Sequence, residues 1–360
     1  MTGPLSALKV LELAGIGPAP FAAMVLADMG ADVVQVARPG DRALSKSPAD
    51  ATYRGRTQLE VDLKRNEGRE LVSSLARHAD VLIEGYRPGV AERLGLGPDA
   101  LLTLNPRLVY GRMTGFGQDG PLAQRAGHDI NYISIAGVLG ASRRAGERPM
   151  FAMNLVGDFG GGGMVLALGV VAAVLHARAT GQGQVVDAAM VEGAAMLATM
   201  TCGMRGVGSW PGEPGHNLLD SGAHFYEVYE TSDDRFMAVG AIEPQFYAQL
   251  LDGLELDAAD WPQYEEHRWP EFKERFAEIF RLRTRDEWTE LFADRDACVT
   301  PVLDLFEAPM HPHNVARDVF QDLDGVMMPR PAPRFSATRS EFGQAKAATA
   351  EAVLSRWAAD

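Results

Sequence analysis

Three short stretches place polar residues in apolar company. In Gly127-His128-Asp129-Ile130-Asn131-Tyr132, a histidine and an aspartate stand at the start of an apolar helix. Asp158 follows Asn154-Leu155-Val156-Gly157 and precedes Phe159 and four consecutive glycines, Gly160 to Gly163. Glu243 occupies a strand-to-helix corner in Val239-Gly240-Ala241-Ile242-Glu243-Pro244. An imidazole, with an ordinary pKa of about 6.5, takes or gives a proton near neutrality. A carboxyl group desolvated beside glycines holds its proton more tightly than in water. These are the groups that proton transfer uses. Each also has a plain structural reading: Asp129 and Asp158 as helix N-caps, His128 as a hydrogen-bonded core residue, Glu243 as a first-turn acid favoured by the helix dipole. The glycine run lets a helix start lie close either to a ligand or to another backbone.

A second set consists of cations at strand ends. Arg38 follows Asp32-Val33-Val34-Gln35-Val36, Lys64 follows Thr57 to Leu63, and Arg87 follows Asp80-Val81-Leu82-Ile83-Glu84. The crevice of an open α/β sheet lies at such ends, and an arginine there can grip a phosphate with both arms of its fork. A solvated surface arginine is the plain alternative. Gly15-Ile16-Gly17-Pro18-Ala19-Pro20 has the position of a dinucleotide loop but lacks the third glycine. Gly115-Phe116-Gly117-Gln118-Asp119-Gly120 has the spacing, but Pro121 and the polar residues after it open no helix, so it reads as a turn. Asp158-Phe159-Gly160 matches a kinase magnesium motif without the catalytic loop that must precede it. Phosphate-holding cations without a dinucleotide fingerprint point to coenzyme A.

The elements that must position these groups alternate. Leu8 to Leu13 reads as a strand, Pro20 to Met29 as a buried helix, and Asp32 to Val36 as a strand. Further strands are expected at Thr57–Leu63, Asp80–Glu84, Leu108–Met113 and Val185–Asp187, with helices at Glu67–His78 and after Pro88. Such alternation predicts an α/β fold with an open, mostly parallel, Rossmann-like sheet. Helices are expected over His128–Gly140, Phe159–Arg178 and Val191–Arg205. His224–Thr231 and Arg235–Gly240 read as a hairpin, and helices from Glu243, Trp269 and Thr284 complete a smaller α+β unit. The expected division is a large domain over 1–205, a Gly- and Pro-rich linker over 206–223 and a small domain over 224–309. Residues 310–360 return to the large domain through a terminal helix near Ala348–Trp357.

Composition narrows the partners. A net charge of −14 repels a nucleic-acid backbone, and no basic run offsets it. Two cysteines and eight scattered histidines, with only His311 and His313 close together, lead to no expected metal. The apolar stretch Met164 to Leu175 is shorter than the roughly 20 residues of a bilayer span, so no span is expected. Neither Met1-Thr2-Gly3-Pro4 nor Ala358-Ala359-Asp360 reads as an address, which leaves the cytoplasm as the expected location.

Taken together, these stretches resemble the α-methylacyl-CoA racemase branch of the family III CoA-transferase superfamily. The resemblance rests on Ala126 to Tyr132, Asn154 to Gly162 and Gly240 to Tyr247. It extends to Leu8–Asp32, Arg38-Pro39-Gly40, Tyr86-Arg87-Pro88-Gly89-Val90, Gly181–Asp187 and Asp296–Val302, and so to nearly the whole chain. Three positions depart from the family pattern and bear on the acyl pocket: Ser221 for glycine, His224 for proline, and Gly85.

The resemblance implies a two-base racemisation of 2-methylacyl-CoA thioesters through an enolate. His128 and Asp158 would be the opposed bases, and Glu243 would orient His128 and stabilise its charged form. Backbone N–H groups at the helix start near Asp129 would hold the enolate oxygen. Asn154 and Tyr226 would support the site. Coenzyme A would arrive as part of the substrate, with no separate cofactor. It would lie along Arg38, Val61-Asp62-Leu63-Lys64 and Arg87, and along Ala126, Gly127, Asp129, Ile130 and Asn131. Met190, Met196, Met200 and Met204, with Met153, would either form a core stripe or offer the acyl chain an adaptable apolar surface. An interlocked homodimer is implied. The competing readings are a CoA-transferase with Asp158 as nucleophile, for which His128 has no evident use, and a silent CoA-binding protein.

Overall fold

The computed structural model describes residues 3–40, 48–323, 325–341 and 343–359. Met1, Thr2 and Asp360, read above for address signals, lie outside the described residues. In chain order the first elements are β1 (Lys9–Leu13), α1 (Pro18–Asp28), β2 (Asp32–Ala37), β3 (Arg56–Glu60), α2 (Asn66–Ala76), β4 (Val81–Glu84), α3 (Val90–Arg93), α4 (Pro98–Leu104) and β5 (Val109–Thr114). Next come α5 (Asp129–Ile135), α6 (Val138–Ala141), a π-helix (Leu155–Met164), α7 (Val165–Thr180), β6 (Gln184–Ala189), α8 (Met190–Leu197) and α9 (Thr199–Gly206). The antiparallel strands β7 (Tyr226–Glu230), β8 (Phe236–Gly240) and β9 (Val299–Pro301) frame α10 (Pro244–Gly253), α11 (Trp269–Phe280) and α12 (Arg285–Phe292). The chain ends with α13 (Pro312–Ala316), β10 (Phe320–Leu323), β11 (Val326–Pro329), β12 (Lys346–Ala347) and α14 (Ala350–Ala358).

The chain divides into two compact units. The first comprises Met1–Val138, Ala152–Thr199 and Val315–Asp360. Its seven strands run in the order β12-β3-β2-β1-β4-β5-β6, every neighbouring pair parallel. Sheets of this kind are covered on both faces, so their strands are apolar at consecutive positions. In β1, Val10 faces the layer of α1 and α7, while Leu11 and Leu13 face the layer of α2, α4 and α14. Strand order reverses between β1 and β4, which puts the ligand crevice at their carboxyl ends. A buried ion pair, Glu12 to Arg56 at 2.5 Å, ties β1 to β3.

The second unit comprises Leu139–Phe151 and Met200–Asn314. Its core is aromatic: Phe225, Tyr229, Trp261, Trp269, Phe272, Phe276, Phe280 and Trp288 are all buried. His224 sits inside this core, fully buried, with its Nε2 2.7 Å from the Tyr247 hydroxyl and no partner for Nδ1. Burial lowers its pKa to about 3. Its departure from the family pattern thus belongs to a core and not to an acyl pocket. Ser221 holds φ +72°, the left-handed region that glycine occupies without strain, so this departure concerns backbone conformation.

Several expectations change. Leu139–Phe151, expected in the large domain, groups with the second unit, because Arg144 pairs with Glu227 at 2.8 Å and the Gly215 backbone packs on Ala145. The expected linker is a built loop of that unit, with Trp210 and Ala223 buried and Asn217 bonding Gly212, Glu213 and Asp220. The expected helix from Phe159 begins earlier, as a π-helix, and continues into α7. The joined run Leu155–Thr180 is 26 residues, long and apolar enough to cross a membrane by composition alone. Leu166 and Val170 of this run pack beside Gly111 of β5, which makes it a core helix of the sheet.

Candidate active site

Two loops at the carboxyl side of the sheet carry the proton-transfer candidates. His128 is the N-cap residue of α5; its backbone N–H donates to Asn131 Oδ1 at 3.1 Å, and its carbonyl accepts from Asn131 N at 2.8 Å. The loop before it is fixed by Tyr132, whose hydroxyl donates to the Gly127 carbonyl and whose ring packs edge-on to Phe116 at 5.0 Å. A β-carbon at Gly127 would stand 2.8 Å from that ring, so only glycine fits. The His128 side chain is left exposed while Asp129 is buried.

Asp129 does something the sequence reading missed. Its carboxylate leaves its own helix and accepts the backbone N–H of Gly157 at 2.6 Å and of Asp158 at 2.7 Å. It therefore caps the π-helix that presents Asp158. Its other oxygen, Oδ1, is buried without a partner. A β-carbon at Gly157 would come within 2.6 Å of Asp129 Oδ2, so the contact requires glycine there.

Asp158 is half-buried, and Asn154 Nδ2 donates to its Oδ2 at 3.1 Å. Gly17, in the turn after β1, closes the other side; a β-carbon there would lie 3.5 Å from Asp158 Oδ2. Burial pushes the Asp158 carboxyl above the usual range; the Asn154 bond opposes this, the Asp129 charge adds to it, and His128 opposes it. His128 and Asp158 are thus within electrostatic reach of each other. Three of the four glycines serve close packing: Gly161 lies on the backbone of Gly193 and Ala194 in α8, Gly162 on the side chains of Pro18 and Met190, and Gly163 on the ring of Phe21 and the backbone of Pro18 and Ala22 in α1.

The expected coenzyme residues gather at strand ends of the same unit. Exposed Arg38 directly follows β2, and its charge acts on the half-buried Tyr86 beyond β4. Val61 N donates to the Ala37 carbonyl at 2.8 Å, and Lys64 N to Asp62 Oδ1 at 3.0 Å, so Val61-Asp62-Leu63-Lys64 adjoins the end of β2. Exposed Arg87 acts electrostatically on Tyr132, which ties it to the His128 loop. Ala126, Ile130 and Asn131 are exposed beside that loop. Gly115 to Gly120 is a turn, with Gly117 N donating to Thr114 Oγ1 at 2.9 Å.

Glu243 and Tyr226 belong to the second unit. Glu243 is exposed at the N-cap of α10, and Tyr226 pairs with Gly240 across β7 and β8. Beside them stands Cys298, its thiol raised by burial, by Asp296 and by Glu243. Its position at φ +52° carried no sequence signal. Among the described residues, no group of three or more His, Cys, Asp or Glu is placed to hold a metal ion.

Comparison with known proteins gives the family of this fold. The chain is 47% identical over 336 residues to an α-methylacyl-CoA racemase of Mus musculus, covering 93% of this chain and 87% of that protein. It is 46% identical over 331 residues to the α-methylacyl-CoA racemase of Homo sapiens, covering 91% and 86%. A crystal structure of a CAIB/BAIF family protein from Brucella suis matches with a TM-score of 0.83 and 25% identity, over 99% of this chain and 100% of that one. The pattern of CoA-transferase family III matches residues 5–349, nearly the whole sequence. With its parallel sheet, its crevice and these relatives in agreement, the chain belongs to CoA-transferase family III.

Proposed function

We infer that the chain is a racemase that interconverts the R and S forms of 2-methylacyl-CoA thioesters. The observation that carries this reading is the 47% identity to a named racemase over 93% of the chain. The site supports it: an exposed imidazole stands within electrostatic reach of a half-buried carboxyl whose pKa is raised, both in one unit. In this mechanism one of the two takes the α-proton, a planar enolate forms, and the other returns a proton to the opposite face. Asp158, kept protonated more readily by burial, serves as acid in one direction and base in the other. N–H groups at the start of α5, near Asp129, hold the enolate oxygen. Arg38, Lys64 and Arg87 hold the phosphates of coenzyme A, which the substrate itself brings. Asn154 steadies Asp158, and Glu243 and Tyr226, supplied by a second copy of the chain in a homodimer, complete the site.

The test is α-proton exchange. Each enantiomer is incubated in D2O with the wild type and with His128→Ala and Asp158→Ala. The wild type should exchange and invert both enantiomers without any added acid. Each variant should lose about 10²–10⁴ in racemisation rate and show residual exchange for opposite enantiomers. Full racemisation by Asp158→Ala removes Asp158 from the mechanism, whereas acyl transfer to an added carboxylate with ping-pong kinetics favours a transferase. Co-refolding inactive His128→Ala with inactive Glu243→Ala should restore part of the activity if the two residues meet across chains. A fully active monomer overturns that pairing.

A further inference from the structure

The edge of the large sheet opposite the crevice holds a cavity of about 700 Å³. Its walls come from the starts of β1 and β2, the turns from α2 into β4 and from α4 into β5, the last turn of α7, and α14. Lys9, Arg77, Arg107, Arg178 and Arg356 line it with His78, against two acids, Asp32 and Asp80. The whole chain has 34 basic and 48 acidic residues, so the sign of charge in this cavity is the reverse of the molecule's.

The acids do not neutralise it. Arg356 binds both oxygens of Asp32 at 2.8 and 2.9 Å, and Trp357 Nε1 donates to the same carboxylate at 2.7 Å. Asp80 Oδ2 accepts the Lys9 backbone N–H at 2.9 Å. Lys9 Nζ donates to the Trp357 carbonyl at 2.9 Å, and Arg178 makes one long bond, 3.3 Å, to the Ala7 carbonyl. The side chains of Arg77, His78 and Arg107 have no hydrogen-bond or ion-pair partner among the described residues. Helix carboxyl ends attract cations, and Arg77 and Arg178 stand at two of them. That attraction acts on each helix separately and does not call for Arg107, from the turn between α4 and β5, to line the same cavity.

We propose that this cavity is a second ligand site, distinct from the crevice, that binds a compact oligophosphate group. Guanidinium forks match phosphate oxygens in pairs. Three arginines not engaged with acids, Arg77, Arg107 and Arg178, suit a ligand with several adjacent negative charges better than a monocarboxylate. The volume lies within the range of small-molecule sites, so the diphosphate stands either alone or on a nucleoside.

Calorimetric titration of the wild type with inorganic pyrophosphate, ADP and acetate at low salt tests the proposal. The expected result is saturable pyrophosphate binding, near one per chain, with none for acetate. The variant Arg77→Ala/Arg107→Ala should bind pyrophosphate at least tenfold more weakly, with its Tm and its KM for CoA thioester unchanged. Tighter binding of ADP than of pyrophosphate, weakened in the same variant, identifies a nucleotide ligand; equal binding identifies the diphosphate alone, and ADP binding that the variant leaves intact belongs to the crevice. An absence of saturable binding overturns the proposal. So does equal affinity in the variant, which would place the pyrophosphate in the crevice. A variant that loses thermal stability while the wild type binds nothing assigns these arginines to the helix ends alone.

Discussion

The Asp129 carboxylate joins the two catalytic candidates without touching the reacting carbon. Its side chain caps the helix that presents Asp158, and its own backbone starts the helix that follows His128. Asp129→Asn keeps an acceptor oxygen and removes the charge that helps raise the Asp158 pKa. The Asp158 pKa should therefore fall. For the enantiomer from which Asp158 abstracts, the acid limb of kcat/KM should move to lower pH, and kcat should drop about 10–100-fold from lost positioning. An unmoved limb would reduce Asp129 to a structural cap. The acidic residue at 129 was legible in the sequence; its target, 28 residues away, was not, because contacts at that range leave no local periodicity. His224 supplies a second residue-scale expectation. Its pKa is about 3 in the fold against about 6.5 in an unfolded chain, so below pH 6.5 the unfolded chain binds the extra proton. Stability should fall by up to about 1.4 kcal/mol per pH unit between 6.5 and 3. In His224→Phe that component of the slope should vanish. Tryptophan fluorescence is a direct readout, since Trp210, Trp261, Trp269 and Trp288 all lie in the second unit.

At the scale of elements, the seam between the π-helix and α8 holds the Asp158 loop in place. A β-carbon on Gly193 would fall 1.8 Å from the Gly161 carbonyl oxygen, a contact that only backbone movement relieves. Gly193→Ala should cost about 3 kcal/mol or more and lower activity with it, because the same π-helix carries Asp158. Thermal melting and kcat, measured together, check this; a variant of unchanged Tm would show that the seam yields freely. The glycine run was visible in the sequence as a place of close approach, and at Gly161 its partner proves to be backbone. The π-helix was invisible, since Leu155 to Met164 has the same apolar character as the α-helix it joins. Strand positions were read well because parallel strands covered on both faces are continuous apolar runs, as in Val81 to Ile83.

At the scale of the whole molecule, β-α alternation announced the parallel sheet, whereas the two-residue strand β12 was too short to announce itself. It pairs with β3 through Lys346–Thr57 and Ala347–Gln58, and α14 behind it buries Val353 and Trp357 in the core. Deleting 343–360 should therefore bare the β3 edge and one core face, and give an insoluble chain; a soluble, monodisperse product would overturn this. The same pairing sets a timetable for the protein's birth. Lys346 leaves the ribosome some 290 residues after its partner Thr57, which at about 5–20 residues per second means roughly 15–60 s of waiting. During that interval the second unit can close, since 200–314 is synthesised in one run and needs only Leu139–Phe151, already made. The large unit must keep an open strand edge until Lys346 and Ala347 arrive. A chain whose Lys346–Ala358 is still held in the ribosome is the species that chaperones must shield, and only exposure of that stretch lets β12 close the edge.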